Sequence, residues 1–216
     1  MKIIDWKQFQ KNNLMQNGKY SSMTIGVFDG VHRGHQELIR RVVSHNADYT
    51  PVVITFRENH KLGDRGQGLG VRGQDLGDRG QGLDFRAESD VTSDMQFEIQ
   101  SFDERLALFE TSGIEIAVVV DFTDEFRQMP GLDFLKIILE HGGAGFFAVG
   151  SGFRCGYKLD TDAAAIQAFF ASHNIPAEII PQVTEGSLPI SSSRIRAAIA
   201  SGDHELARAM LGSARC

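Results

Sequence analysis

Two cysteines in 216 residues, Cys155 and the terminal Cys216, are too few for a disulfide framework, and they read as reduced thiols of a cytoplasmic protein. The opening stretch "MKIIDWKQFQKNN" has no apolar core of the kind a secretory signal needs. No apolar run approaches the ~20 residues that cross a bilayer, so no membrane partner is expected. Basic charge is also short: the formal net charge is −6, which leaves no global field to attract nucleic acid. A small phosphorylated ligand stays open, because a local pocket can bind it within an acidic whole.

What is present suits one sizeable domain. The hydrophobic share of 42% and charged share of 23% are ordinary for a globular protein, and the length allows a full core. Apolar runs recur as "MTIGVF", "TPVVITF", "IEIAVVVDF", "GFFAVG" and "PAEIIP". Between them lie segments of helical spacing: "QELIRRVVSH", "RLALFE", "GLDFLKIILE" and "DAAAIQAFFASH". Continuous apolar strands alternating with helices predict an α/β fold with a doubly wound parallel sheet, covered on both faces. Ser101 with Glu104 forms a capping-box pattern, and Gly113 marks that helix's end. Near the carboxyl end, "SSSRIRAAIASG" offers three N-caps, and Asp203 caps "DHELARAML".

One segment breaks the rhythm. "LGDRGQGL" occurs at Leu62 and recurs fourteen residues later. Two copies without a hydrophobic face cannot build a solenoid. Their acids match no calcium loop. Dense glycine and scarce aromatics predict a low-complexity flexible loop at about 62–98.

Chemistry is concentrated in "GVFDGVHRGH", from Gly26 to His35. Three readings compete there: a metal site, a tight turn with incidental histidines, and a cradle for phosphate. A strand running into a helix through glycines places free amides and a positive dipole end beyond the sheet's carboxyl edge, which suits phosphate. Zinc would need a third or fourth ligand, and no familiar spacing supplies one. A second signal lies in "PISSSRIRAAI", where Ser191, Ser192 and Ser193 open a helix with Arg194 and Arg196 just inside it. Cations oppose the dipole at that end, so their presence suggests an anion held there with them.

Taken together, "IGVFDGVHRGHQELIRR" and "ISSSRIRAAIASGDHELARAMLG" resemble the adenylyltransferase module of bacterial FAD synthetases, within the nucleotidylyltransferase superfamily. The resemblance spans about Met23 to Gly212, the repeat excepted. It implies a Rossmann-like fold of the nucleotidylyltransferase type. It also implies a reaction in which the phosphate of FMN attacks the α-phosphorus of ATP, giving FAD and pyrophosphate with magnesium bridging the phosphates. On that footing His32, His35 and Arg196 are the expected catalytic residues, with the histidines offsetting charge on the triphosphate. Gly26, Phe28, Asp29, Gly34, Ser192 and Ser193 are expected at ATP; Phe56, His60, Gly152 and Phe153 are expected at FMN. Protein ligands to a metal are left unassigned, as is the oligomeric state. Under this resemblance the two-histidine turn is a phosphate cradle.

Three departures qualify the match. "TFRENHKL" stands where the family has F-E-P-H-P, keeping Phe56 and His60. "AVGSGFRCG" keeps Gly150, Phe153 and Gly156, but Gly152 replaces an amide or carboxylate and Cys155 an aromatic. The sequence closes at "LGSARC", where the bifunctional family proteins continue into a riboflavin kinase barrel, so the expectation is a single adenylyltransferase domain over 1–216. The competing readings are a related nucleotidylyltransferase with another acceptor, such as a cytidylyltransferase or a pantetheine-phosphate adenylyltransferase, and a non-catalytic flavin- or nucleotide-binding protein.

Overall fold

The computed structural model describes residues 1–16, 18–57 and 97–212. The repeat and His60 lie outside the described residues, as does Cys216. In chain order the elements are β1 (Lys2–Asp5), α1 (Trp6–Phe9), β2 (Tyr20–Ile25), α2 (Arg33–Val43), β3 (Tyr49–Phe56), α3 (Phe102–Thr111) and β4 (Ile116–Val120). There follow α4 (Asp124–Arg127), α5 (Gly131–Gly142), β5 (Ala144–Gly150), β6 (Arg154–Cys155), β7 (Thr161–Asp162), α6 (Ala163–Ser172) and β8 (Ala177–Ile180). A small hairpin of β9 (Thr184–Glu185) and β10 (Leu188–Pro189) leads into α7 (Ser192–Ala200) and α8 (His204–Leu211).

Six strands form one sheet in the order β1-β4-β3-β2-β5-β8, and every pairing is parallel. The apolar runs read from the sequence are its five inner and far-edge strands, each within a few residues of its expected bounds. Val52, Val53, Ile54 and Val118 are wholly buried, as strands covered on both faces must be. Helices α2 and α3 pack on one face through Ile39, Val42 and Phe109; α1, α5 and α6 pack on the other through Phe9, Leu135, Ile138 and Phe170. The doubly wound α/β expectation holds. Polar residues inside β2 are satisfied locally: the Ser21 and Ser22 hydroxyls donate to the carbonyls of Gly142 and Val42, at 2.8 and 2.9 Å.

Helix ends follow their capping chemistry. The Ser101–Glu104 capping box is complete, and Asp162, Ser191 and Asp203 each cap a helix with a side-chain oxygen. Strand β1 was not foreseen. Its four residues are too few for a periodic signal, and pairing in register with β4 is what makes it a strand. Helices α7 and α8 bury Ile195, Met210 and Leu211 in a third, separate cluster beside the sheet's carboxyl edge.

Candidate active site

From β2 the chain winds outward through β3 and β4, whereas β5 leads the other way to β8. Adjacent strands β2 and β5 therefore flank a topological switch point, where open α/β sheets bind ligands beyond their carboxyl ends. A cavity of about 290 Å³ lies there, walled by residues 25–29, 150–153, 180–183 and 190–193, with His32, Gly34, His35, Leu38 and Arg196. It brings together Gly26, Phe28, Asp29, His32, Gly34 and His35 with Ser192, Ser193, Arg196, Gly152 and Phe153. Phe56 falls outside it, buried in a ring cluster with Phe122 and Phe126. An adjoining hollow of about 390 Å³ shares Ser151, Gly152 and Phe153.

Between β2 and α2 the backbone is strained. Phe28 and Val31 have φ of 56° and 31°, which is costly for bulky side chains, while Gly30 takes φ 88° at little cost. Several groups hold this turn. Asp29 Oδ1 accepts the Ile99 amide at 3.0 Å, Gln36 Nε2 donates to the Val31 carbonyl at 2.8 Å, and Ser192 Oγ donates to the Asp29 carbonyl at 2.8 Å. Buried Arg105 of α3 donates to the carbonyls of Val27, Phe56 and Arg57, joining the ends of β2 and β3.

His32 is the N-cap of α2, its Nδ1 accepting the His35 amide at 3.4 Å, an arrangement that assigns the ring proton to Nε2. The two imidazoles stack 3.7 Å apart, and Phe28 backs His35 at 5.0 Å. Burial lowers the His32 pKa to about 4, so its ring is neutral near pH 7. As a neutral ring His32 donates through Nε2–H, which is how it would meet the anionic charge expected there. Gly34 lines the cavity and also borders the His32 ring. A side chain there would begin 3.2 Å from His32 Cε1, so this glycine makes room for the imidazole.

The two arginines of α7 are also differently employed. Arg194 donates to the carbonyls of Glu185, Leu188 and Pro189, pinning the β9–β10 hairpin. No bound anion is needed to explain it. Arg196 pairs with the Asp29 carboxylate and donates from Nε to the Phe97 carbonyl at 2.8 Å. Arg196, expected in catalysis, and Asp29, expected at ATP, thus tie the two motifs to each other. Nη1 of Arg196 has no hydrogen-bond partner among the described residues. Gly152 has no positive φ, so its backbone does not demand glycine. Burial, with Asp160 adding to it, pushes the Cys155 thiol up to about 12, as suits a small buried residue. Among the described residues no three His, Cys, Asp or Glu side chains converge on a metal position.

Sequence reasoning missed Arg105 and Gln182. Arg105 sits in a charged helix segment, Asp103-Glu104-Arg105, where an arginine reads as solvated. Gln182 follows a strand in a segment without a motif, so no signal marked it.

Comparisons with known proteins agree with this geometry. The FAD synthetase family profile matches residues 14–64 and 86–194, a range that takes in both the histidine turn and Ser192–Ser193. The bifunctional riboflavin kinase/FMN adenylyltransferase of Escherichia coli K12 is 24% identical over 192 residues, covering 88% of this chain and 53% of its own. That of Bacillus subtilis is 27% identical over 202 residues, covering 89% and 53%. This chain therefore spans about half the length of those curated relatives. The crystal structure of a macrolide-efflux protein from Streptococcus pneumoniae superposes with a TM-score of 0.74 at 25% identity, covering 98% of this chain and 62% of that one. No helix among the described residues here is long and apolar enough to cross a membrane. With the profile matched across most of its length and both motifs on one cavity at the switch point, the chain belongs to the FAD synthetase family.

Proposed function

We propose that this chain transfers the adenylyl group of ATP to FMN. The single observation that carries the reading is the convergence of the His32–His35 turn and the start of α7 on one cavity at the switch point. A phosphate oxygen of FMN attacks the α-phosphorus, the bond to the β-phosphate oxygen breaks, and FAD and pyrophosphate result. No protein nucleophile is needed, so catalysis consists of positioning and stabilisation of charge. Helix α2 turns its N-terminal dipole end toward the cavity, His32 donates from Nε2–H, and His35 stacks beside it. The Ser193 hydroxyl and Arg196 Nη1 complete the opposite wall and suit the departing pyrophosphate.

Magnesium would enter on the triphosphate, held by phosphate oxygens and water, as this ion ordinarily is, and would neutralise charge there. Asp29 is the only carboxylate on the described cavity wall, and its pairing with Arg196 fits that arrangement better than a protein cage. Phe56 belongs on the acceptor side, at the carboxyl end of β3 beside Phe122. Gly152 and Phe153 move from the flavin to the nucleotide, because they share the cavity of the histidines.

Incubation with FMN, ATP and magnesium, followed by chromatography, should yield FAD and pyrophosphate. His35→Ala should cut turnover about a hundredfold or more while leaving the melting temperature near that of the parent. A parent protein that binds ATP without forming FAD would favour the non-catalytic reading. Adenylylation of a different phosphorylated acceptor would favour the related transferase.

A further inference from the structure

The cavity lining mixes polar groups, the histidines, Ser193 and Arg196, with the apolar side chains of Leu38, Phe153 and Ile180. Apolar surface with a few polar groups to fix orientation is what an aromatic base needs. Gln182, just past β8, is the one side-chain carboxamide on the described lining. It is exposed, and its side chain makes no hydrogen bond to any described residue. A side chain starting at Gly152 would lie 3.2 Å from Gln182 Nε2. The amide of residue 182 therefore reaches the space that an amide or carboxylate at position 152 would otherwise enter.

We infer that Gln182 reads the adenine of ATP and supplies the polar group that Gly152 lacks. This rests on the adenylyltransferase reading and adds the residue that sets nucleotide choice. A carboxamide presents a carbonyl and an N–H₂ side by side, which matches the donor–acceptor pair of adenine's N6 and N7. Guanine presents two acceptors there, O6 and N7, so the amide oxygen would face an oxygen. Glycine at 152 and glutamine at 182 are then one device: a longer residue at 152 would crowd the amide, and alanine at 182 would leave the base edge unpaired.

Calorimetric titration with ATP and GTP separates the outcomes. For the parent, ATP should bind more tightly than GTP. Gln182→Ala should weaken ATP about tenfold and GTP less than twofold, narrowing the preference with little change in kcat. Adding Gly152→Asn to Gln182→Ala should restore most of the ATP affinity, which a merely structural effect at 182 would not do. Unchanged ATP affinity in Gln182→Ala, or no recovery in the double variant, would overturn the inference alone. A parent that binds no ATP would overturn the adenylyltransferase reading, and this inference with it.

Discussion

His32 is an uncharged imidazole on the wall of the cavity, and its environment explains why. Only 7% of its surface is exposed, and among the described residues no charge offsets the loss of water. The consequence for pH is definite in sign. Unfolded, the ring takes a proton near pH 6.5; folded, it refuses one until about pH 4. As pH falls through that window the unfolded chain binds a proton that the folded chain does not, and stability drops, by up to about 3 kcal/mol. Urea titrations between pH 7 and 4 should show this slope. His32→Gln should lower stability at pH 7 yet flatten the slope between pH 6.5 and 4.5. Below that, Glu37, Glu104 and Glu178, whose carboxyls are held low by Arg40, Ser101 and Arg41 respectively, add their own acid sensitivity. An unchanged slope in the variant would show that other groups set the upper window.

Elements meet at the histidine turn in a way no single element explains. Arg105 reaches from α3 to the Val27 carbonyl just past β2 and to carbonyls at the end of β3, so the strained turn is fastened from beneath. From the other side, Gln36 and Arg33 of α2 donate to the carbonyls of Leu211 and Ala209 of α8. Replacing Arg105 by Met keeps most of the volume and leaves three carbonyls without their donor. The expected cost is roughly 1.5–3 kcal/mol in folding stability. It should also raise the KM for ATP several-fold, because the turn carries the groups proposed to face the phosphates; Arg105→Lys should recover part of both. Chemical denaturation and steady-state kinetics on the same preparations check this. A stability loss without a kinetic effect would mean that the clamp serves folding alone.

For the whole molecule, the family profile offers a partition: it passes over residues 65–85, within which most of the repeat falls. Deleting Gly63 through Asp84 roughly halves the chain between Arg57 and Phe97, and closure entropy changes by only about 0.6 kcal/mol per halving. The shortened protein should melt within a few degrees of the parent and retain ATP binding, as thermal scans and titration can establish. A large fall in melting temperature would show that this segment contributes to the core.

Residue type and spacing were enough to determine the alternation of strands and helices, the caps at Ser101 and Asp203, and the two helix starts that line the cavity. Those signals are local: a β-rich apolar run, a hydroxyl three residues before a glutamate, or glycines beside a histidine act on their near neighbours whatever lies elsewhere. The partners of charged groups are not local. Asp29 meets Arg196 across most of the chain, Arg105 reaches carbonyls at the ends of two strands, and Gln182 comes beside Gly152, only because the parallel sheet places β2, β5 and β8 side by side. The sequence by itself therefore determined which segments open the two helices that meet at the cavity. Only the tertiary structure decided that His32 is neutral, that Arg194 pins a hairpin, and that Gly34 accommodates an imidazole, because burial, charge pairing and close approach depend on what the fold brings within a few ångströms.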